Sequence, residues 1–260
     1  MIGMNRDTFR SIVNLLAALV TIAVNGLAEA LPLNHLSTKT ISDSFQVLFV
    51  PAAYVFSIWG LIYLALIAFA IYQVLPAQRA NPRLRRVGYW FALSCLANCA
   101  WICLWHYQHF PATLAVMLVL LAALIIIYER LEIGRVAVGA VERWTVDLTF
   151  SLYLGWISVA TIANAADVLD YLGWHGAPLG APAWAVIMLA AALVLAAAMA
   201  FRRHDLVYGL VVIWAFAGIG LKQADTPVVA GAAWVMAALV ALALVASLAR
   251  RPARPVARPA

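Results

Sequence analysis

PAAYVFSIWGLIY, residues 51–63, opens an apolar run that continues to Leu75 without a single Asp, Glu, Lys or Arg. Proline is tolerated at the head of a helix, where its missing N–H is not needed, and not within one. About 20 apolar residues cross the ~30 Å hydrocarbon core of a bilayer as a helix. This run is long enough to do so, which makes the chain a membrane protein and fixes the frame for the rest. Its first turns are crowded with rings: Tyr54, Phe56, Trp59 and Tyr63. At ~100° per residue, Phe56, Trp59 and Tyr63 share one face. Such a face serves either as an interfacial aromatic belt and helix contact or as the wall of a pocket for a flat, hydrophobic ligand.

Working outward, the same apolar character fills the chain. Of 260 residues, 66% are hydrophobic and 11% charged, which excludes an ordinary soluble domain and predicts an all-α polytopic membrane protein. About eight transmembrane helices are expected, over residues 11–31, 51–75, 87–106, 111–128, 144–164, 183–201, 206–221 and 228–248. The seventh is short and follows a tight turn at 202–205. Loop charges test the count independently. With eight spans, every one of the 17 Lys and Arg residues except Lys39 and Lys222 falls on the same side of the membrane. The positive-inside rule then makes both termini cytoplasmic. The net charge of +6 follows from this topology and favours anionic lipid headgroups, not nucleic acid. Rich Ala and Arg usage points to a bacterium, hence to the inner (plasma) membrane. The tail at 250–260 is basic, proline-rich and expected to be disordered. Arg6, Arg10 and the Ala28-Glu29-Ala30 sequence also fit a signal peptide whose cleavage would leave seven spans.

Two more helices carry rings and amides. The third has Asn98, Trp101 and Trp105 within about 60° of arc, away from a stripe formed by Cys95, Cys99 and Cys103, which suits helix packing. The fifth has Tyr153, Trp156, Ala160 and Asn164 on one stripe. A buried asparagine in lipid needs partners, so these faces should point into the bundle, either as interhelical glue or as the anchors of an aromatic-walled pocket.

In these motifs the chain resembles the translocator protein family, also called tryptophan-rich sensory proteins or peripheral benzodiazepine receptors. The resemblance rests on Pro51, Tyr54-Val55-Phe56, Trp59 and Tyr63 in the second helix, Asn98-x-x-Trp101 in the third, and Pro111 opening the fourth. Tyr153-x-x-Trp156, Ala160 and Asn164 in the fifth complete it. It covers roughly residues 10–175 and therefore implies a five-helix translocator-like core over 1–175. Three additional helices over 176–249 lie outside the compared motifs. Retention of the first helix is expected, since that core needs it. The chain also departs from the pattern. The gap from Phe56 to Trp59 is one residue shorter than in typical members, and Leu152 stands where the fifth helix usually has proline. The sterol-contact pattern after the fifth helix is missing, with a weak match at Leu124, Tyr128 and Arg130.

The resemblance implies binding of porphyrins, sterols or drug-like aromatics in a cavity among the first, second, third and fifth helices, covered by the long loop after the first. The expected ligand site is Phe56, Trp59, Asn98, Trp101, Tyr153, Trp156, Ala160 and Asn164, with rings stacking on the ligand, an asparagine orienting it and Ala160 leaving room. No cofactor is obligatory; a porphyrin or haem-type ligand is the expected guest. A transporter or channel moving such a ligand is the alternative. Histidines His35, His106, His109 and His175 read as interfacial loop residues sooner than as metal ligands. No nucleophile elbow, phosphate loop or metal-protease signature supports catalysis. Glu29, beside hydrocarbon, is a ligand or proton site by default; Asp147 is expected to pair with Arg143 or cap its helix. The expected partners are the lipid bilayer and a hydrophobic small molecule, and the Ala-rich sixth span suits association between copies.

Overall fold

The computed structural model describes residues 6–31 and 33–250. Of the predicted tail at 250–260, residues 251–260 lie outside the described residues. The chain is all helical. Eight long helices run through the described residues: α1 (Arg6–Ala30), α2 (Ile58–Val74), α3 (Trp90–His106), α4 (Phe110–Arg130), α5 (Leu148–Tyr171), α6 (Ala181–Arg203), α7 (Leu206–Lys222) and α8 (Pro227–Ala249). Six are long and apolar enough to cross a membrane, counting the turns that lead into α2 and α5, while α3 and α7 are shorter apolar helices of 17 residues each. At 1.5 Å per residue these two span about 25 Å, slightly less than an average hydrocarbon core.

Local sequence explains the ends. Pro111, Pro182 and Pro227 occupy the first turns of α4, α6 and α8, where a missing N–H costs nothing. The tight turn before α7 is made by His204 in the left-handed conformation and Asp205 as N-cap, its carboxylate accepting from the Tyr208 N–H at 3.1 Å. Pro51 does not open α2 directly. The chain enters through a 3₁₀ turn, Ala53–Ser57, and becomes α-helical at Ile58. In a 3₁₀ turn residues three apart eclipse, so the short Phe56–Trp59 spacing still brings both rings against Trp156, at 6.0 and 6.2 Å.

Helix α5 is the axis of the bundle. Its apolar window is 72% buried, against 28–39% in the other five spans. Packing around it is continuous: one apolar core joins residues of α1 to α5 with residues of α6 to α8. Close approach depends on two glycines. A Cβ at Gly155 of α5 would meet Val211 at 3.2 Å, and one at Gly218 of α7 would lie 2.2 Å from Val55 Cγ2. Helix α7 thereby presses on the entry to α2. The Gly218 carbonyl accepts from Ala52 N–H at 3.0 Å, and Trp214 Nε1 donates to the Val55 carbonyl at 3.2 Å. Trp214 is thus a brace for the aromatic turn as well as a partly exposed ring. The cysteines are free thiols, and their helix meets α1, where Thr21 donates to the Cys95 carbonyl at 3.3 Å.

The predicted charge segregation is visible as contacts. At one end, Arg85 pairs with Asp7, Arg86 with Glu132 and Arg203 with Glu129, joining segments that lie far apart in the sequence. At the other end, Lys39 and Lys222 converge on Asp43. Asp147 pairs with Arg83, not Arg143, at 2.6 Å: Arg83 arrives from the α2–α3 connection, a contact invisible to local spacing.

Candidate functional site

At the lysine end, a narrow cavity of about 60 Å³ opens between the entry to α2, the last turns of α3, α4 at Met117 and the outer half of α5. Phe56, Trp59, Trp101, Trp156, Ala160 and Asn164 line it together. These are six of the eight predicted site residues, drawn from three helices. Trp59 stacks on Tyr63 at 5.6 Å and meets Trp156 edge-on. Trp101 stacks on Trp105 at 5.2 Å, and Trp105 also lines the cavity. The walls are therefore rings held in place by other rings, a low-entropy surface for a planar guest.

Asn98 and Tyr153 lie elsewhere. Asn98 donates to the Tyr153 hydroxyl at 3.0 Å and accepts from Asn25 Nδ2 at 2.7 Å. This chain of bonds ties α1, α3 and α5 together on the α1 side of the cavity, which is why α1 contributes no lining while α4 does. Asn164, although it lines the cavity, spends its amide on protein: Oδ1 accepts from Trp101 Nε1 at 3.2 Å and Nδ2 donates to Thr113 at 2.9 Å. It orients the Trp101 ring.

The roof is the segment after α1. A short helix, Thr38–Ser42, places Thr38 and Ser42 over the cavity. Ile41 beneath it is buried with Trp105, Phe110 and Val168 in a small satellite core. Polar ties hold the roof down. Thr38 donates to Glu29 and bonds His106 Nε2 at 3.2 Å, and Asp170 accepts from the Gln46 N–H at 3.1 Å. His106 is fully buried, in contrast to an interfacial loop histidine, because the roof folds over it and its other ring nitrogen meets the Leu33 carbonyl at 3.2 Å. Outside the membrane spans, the Lys222 ammonium, with Lys39 beside it, holds the Asp43 carboxyl below the usual carboxylate range.

One further lining residue is an acid outside the expected site. Asp167 is on α5, 4% exposed, and its Oδ1 has no hydrogen-bond partner. The Nε1 of Trp156 is likewise buried and unpartnered. Among the described residues, the remaining buried side-chain polar atoms without partners are on Asn14 and Gln73, whose amides already bond each other at 3.1 Å. The signal for Asp167 was its place one turn beyond Asn164 on the Trp156 stripe: 11 residues make about three helical turns.

A larger, more open cavity of about 430 Å³ lies at the arginine end between the 133–138 loop, Trp144 and the α6–α7 turn. Its carboxylates are already engaged. Asp147 serves Arg83, and Asp205 accepts from Tyr128 at 2.7 Å and Ser151 at 2.6 Å. Tyr128 and Leu124 are buried, so the weak sterol-contact pattern there does not face lipid.

Compared with known proteins, residues 11–246 match the family model described as TSPO-like protein. The match runs through α6, α7 and most of α8, well past the motifs of the first five helices. No curated protein and no solved structure matches.

Proposed function

The chain belongs to the TSPO-like protein family, and from that premise we propose that it binds a flat, hydrophobic ligand, a tetrapyrrole or a sterol-like molecule, in the ring-walled cavity. Membership makes it an integral membrane protein of binding or sensory type in the general sense. The observation that carries the finer reading is the convergence of Phe56, Trp59, Trp101 and Trp156 on one cavity beside the small Ala160. The cavity is narrow, at about 60 Å³. Pockets for ligands of this kind measure about 300–1,000 Å³. Binding therefore requires the roof at 33–50 to lift and the rings to part.

Binding is favoured over passage through the bundle. Between the two ends, Phe69, Phe91 and Phe150 close-pack α2, α3 and α5 with ring centroids 4.8–6.1 Å apart. We place the arginine end on the cytoplasmic face by the positive-inside rule, so the roofed cavity faces the other side.

The test is a tryptophan-fluorescence titration of the purified protein in detergent with protoporphyrin. Saturable binding is expected, weakened at least about 10-fold by Trp156→Ala and abolished by Ala160→Phe, whose ring would fill the space. Asn98→Ala, away from the cavity, should weaken the fold more than the affinity. Binding indifferent to Ala160→Phe would remove the cavity from consideration.

A further inference from the structure

Asp167 has no structural occupation. A carboxyl withdrawn from water stays neutral unless a cation pairs with it; this one is nine-tenths buried, lines the cavity and has an oxygen without a hydrogen-bond partner. The charged groups acting on it are Asp170 and Lys222. Both are committed: Asp170 to His175 at 2.8 Å and to the Gln46 N–H, Lys222 to Asp43 at 2.6 Å. About 16 Å away along α5, on the same face, lies another buried atom without a partner, the Trp156 N–H.

We propose that Asp167 anchors a hydrogen-bond-donating, cationic nitrogen of the bound ligand, which makes the guest a flat aromatic with a basic N–H group. This rests on the reading of the cavity as the ligand site and narrows it. A cationic N⁺–H brings the counter-charge that lets the carboxyl release its proton and accept, whereas an anion brings none, and the resulting charge-assisted bond is among the strong ones. A ligand carboxylate, such as a porphyrin side chain, gains no such ion pair at the Asp167 end. A sterol hydroxyl supplies one weak, neutral bond in place of a charged one. The Trp156 N–H asks for an acceptor at the deep end, so the guest lies along α5 with its basic group under the roof.

Two probes of one ring and opposite charge decide the matter: 9-aminoacridine and acridine-9-carboxylate, titrated against the full chain in nonionic detergent, with protoporphyrin in parallel. The wild type is expected to bind the amine saturably and at least about 10-fold tighter than the acid. Asp167→Asn should weaken the amine roughly 10- to 100-fold and level the preference, while Asp167→Glu retains part of it. Unchanged helical content and elution volume verify the fold of each variant. If the wild type does not bind the amine, or prefers neither probe, or if Asp167→Asn keeps the preference, the inference is overturned. Should protoporphyrin binding still be lost in Ala160→Phe, the failure is confined to Asp167 and the pocket stands. If protoporphyrin ignores Ala160→Phe, the pocket itself has failed and the inference with it.

Discussion

The two ends of the bundle bury acids in opposite ways. At the arginine end, Asp205 is 6% exposed and fully served by the Tyr128 and Ser151 hydroxyls and the first turn of α7. Asp147 and Glu142 share the Arg83 guanidinium, whose third bond goes to the Leu131 carbonyl at 2.8 Å. At the lysine end, Asp167 is just as buried and keeps an oxygen unbonded. Buried polar groups that hold a fold together are satisfied within it, and an exception needs another explanation. The arginine end is therefore the fastening of the bundle, with the larger cavity and its buried acids engaged. The lysine end, with the smaller cavity, holds the buried carboxyl with an oxygen still waiting for a partner.

The comparison is tested most severely by Arg83→Ala. It strands two carboxylates and should destabilise the protein by about 3–5 kcal/mol, read as a large drop in the thermal or denaturant midpoint in detergent; a drop no greater than that of a surface arginine would refute the fastening role. Next, Asp205→Ala removes a helix cap and leaves two hydroxyls unbonded, for an expected loss of about 2–4 kcal/mol. Asp167→Asn should cost little. Without ligand it replaces an unpartnered buried carboxyl by an amide of the same size, so stability should hold within about 1 kcal/mol. A fall comparable to that of Asp205→Ala would show the two aspartates to be alike after all.

The smallest effect concerns the roof. The folded Asp43 carboxyl titrates below its unfolded counterpart because of Lys222 and Lys39. Its contribution is present above the ordinary carboxylate pKa of ~3.9 and is lost as pH falls through the lowered folded value. Amide exchange of residues 38–46 should therefore quicken on acidification toward about pH 3, and Asp43→Asn should quicken it at neutral pH and flatten that response.

Much of this was legible in the chain. Apolar runs and arginine-bearing loops specify the spans and their alternation, because hydrocarbon thickness sets helix length and the translocation of positive charge is disfavoured. The stripe Trp156, Ala160, Asn164 and the rings of the second and third helices point inward for the same reason that any amphipathic face does. What one helix cannot reveal is which of its polar groups its neighbours will satisfy. Asn98 looked like a ligand anchor and is spent on Asn25 and Tyr153. Asn164 is spent on Trp101 and Thr113. Asp167, near the end of its helix, is left over inside. The role of the last three helices was equally hidden, since it depends on Gly218 and Trp214 meeting the turn at 51–55 from 159 or more residues away.

The sequence by itself determined an all-helical membrane bundle with its positive charge at one end and aromatic faces on its second, third and fifth helices. Local hydropathy, charge and the 3.6-residue period suffice for that. Only the tertiary structure decided where those faces meet, how a roof closes them off and which buried carboxylate lacks a partner, because hydrogen-bond satisfaction is a property of pairs brought together by folding, not of residues taken one at a time.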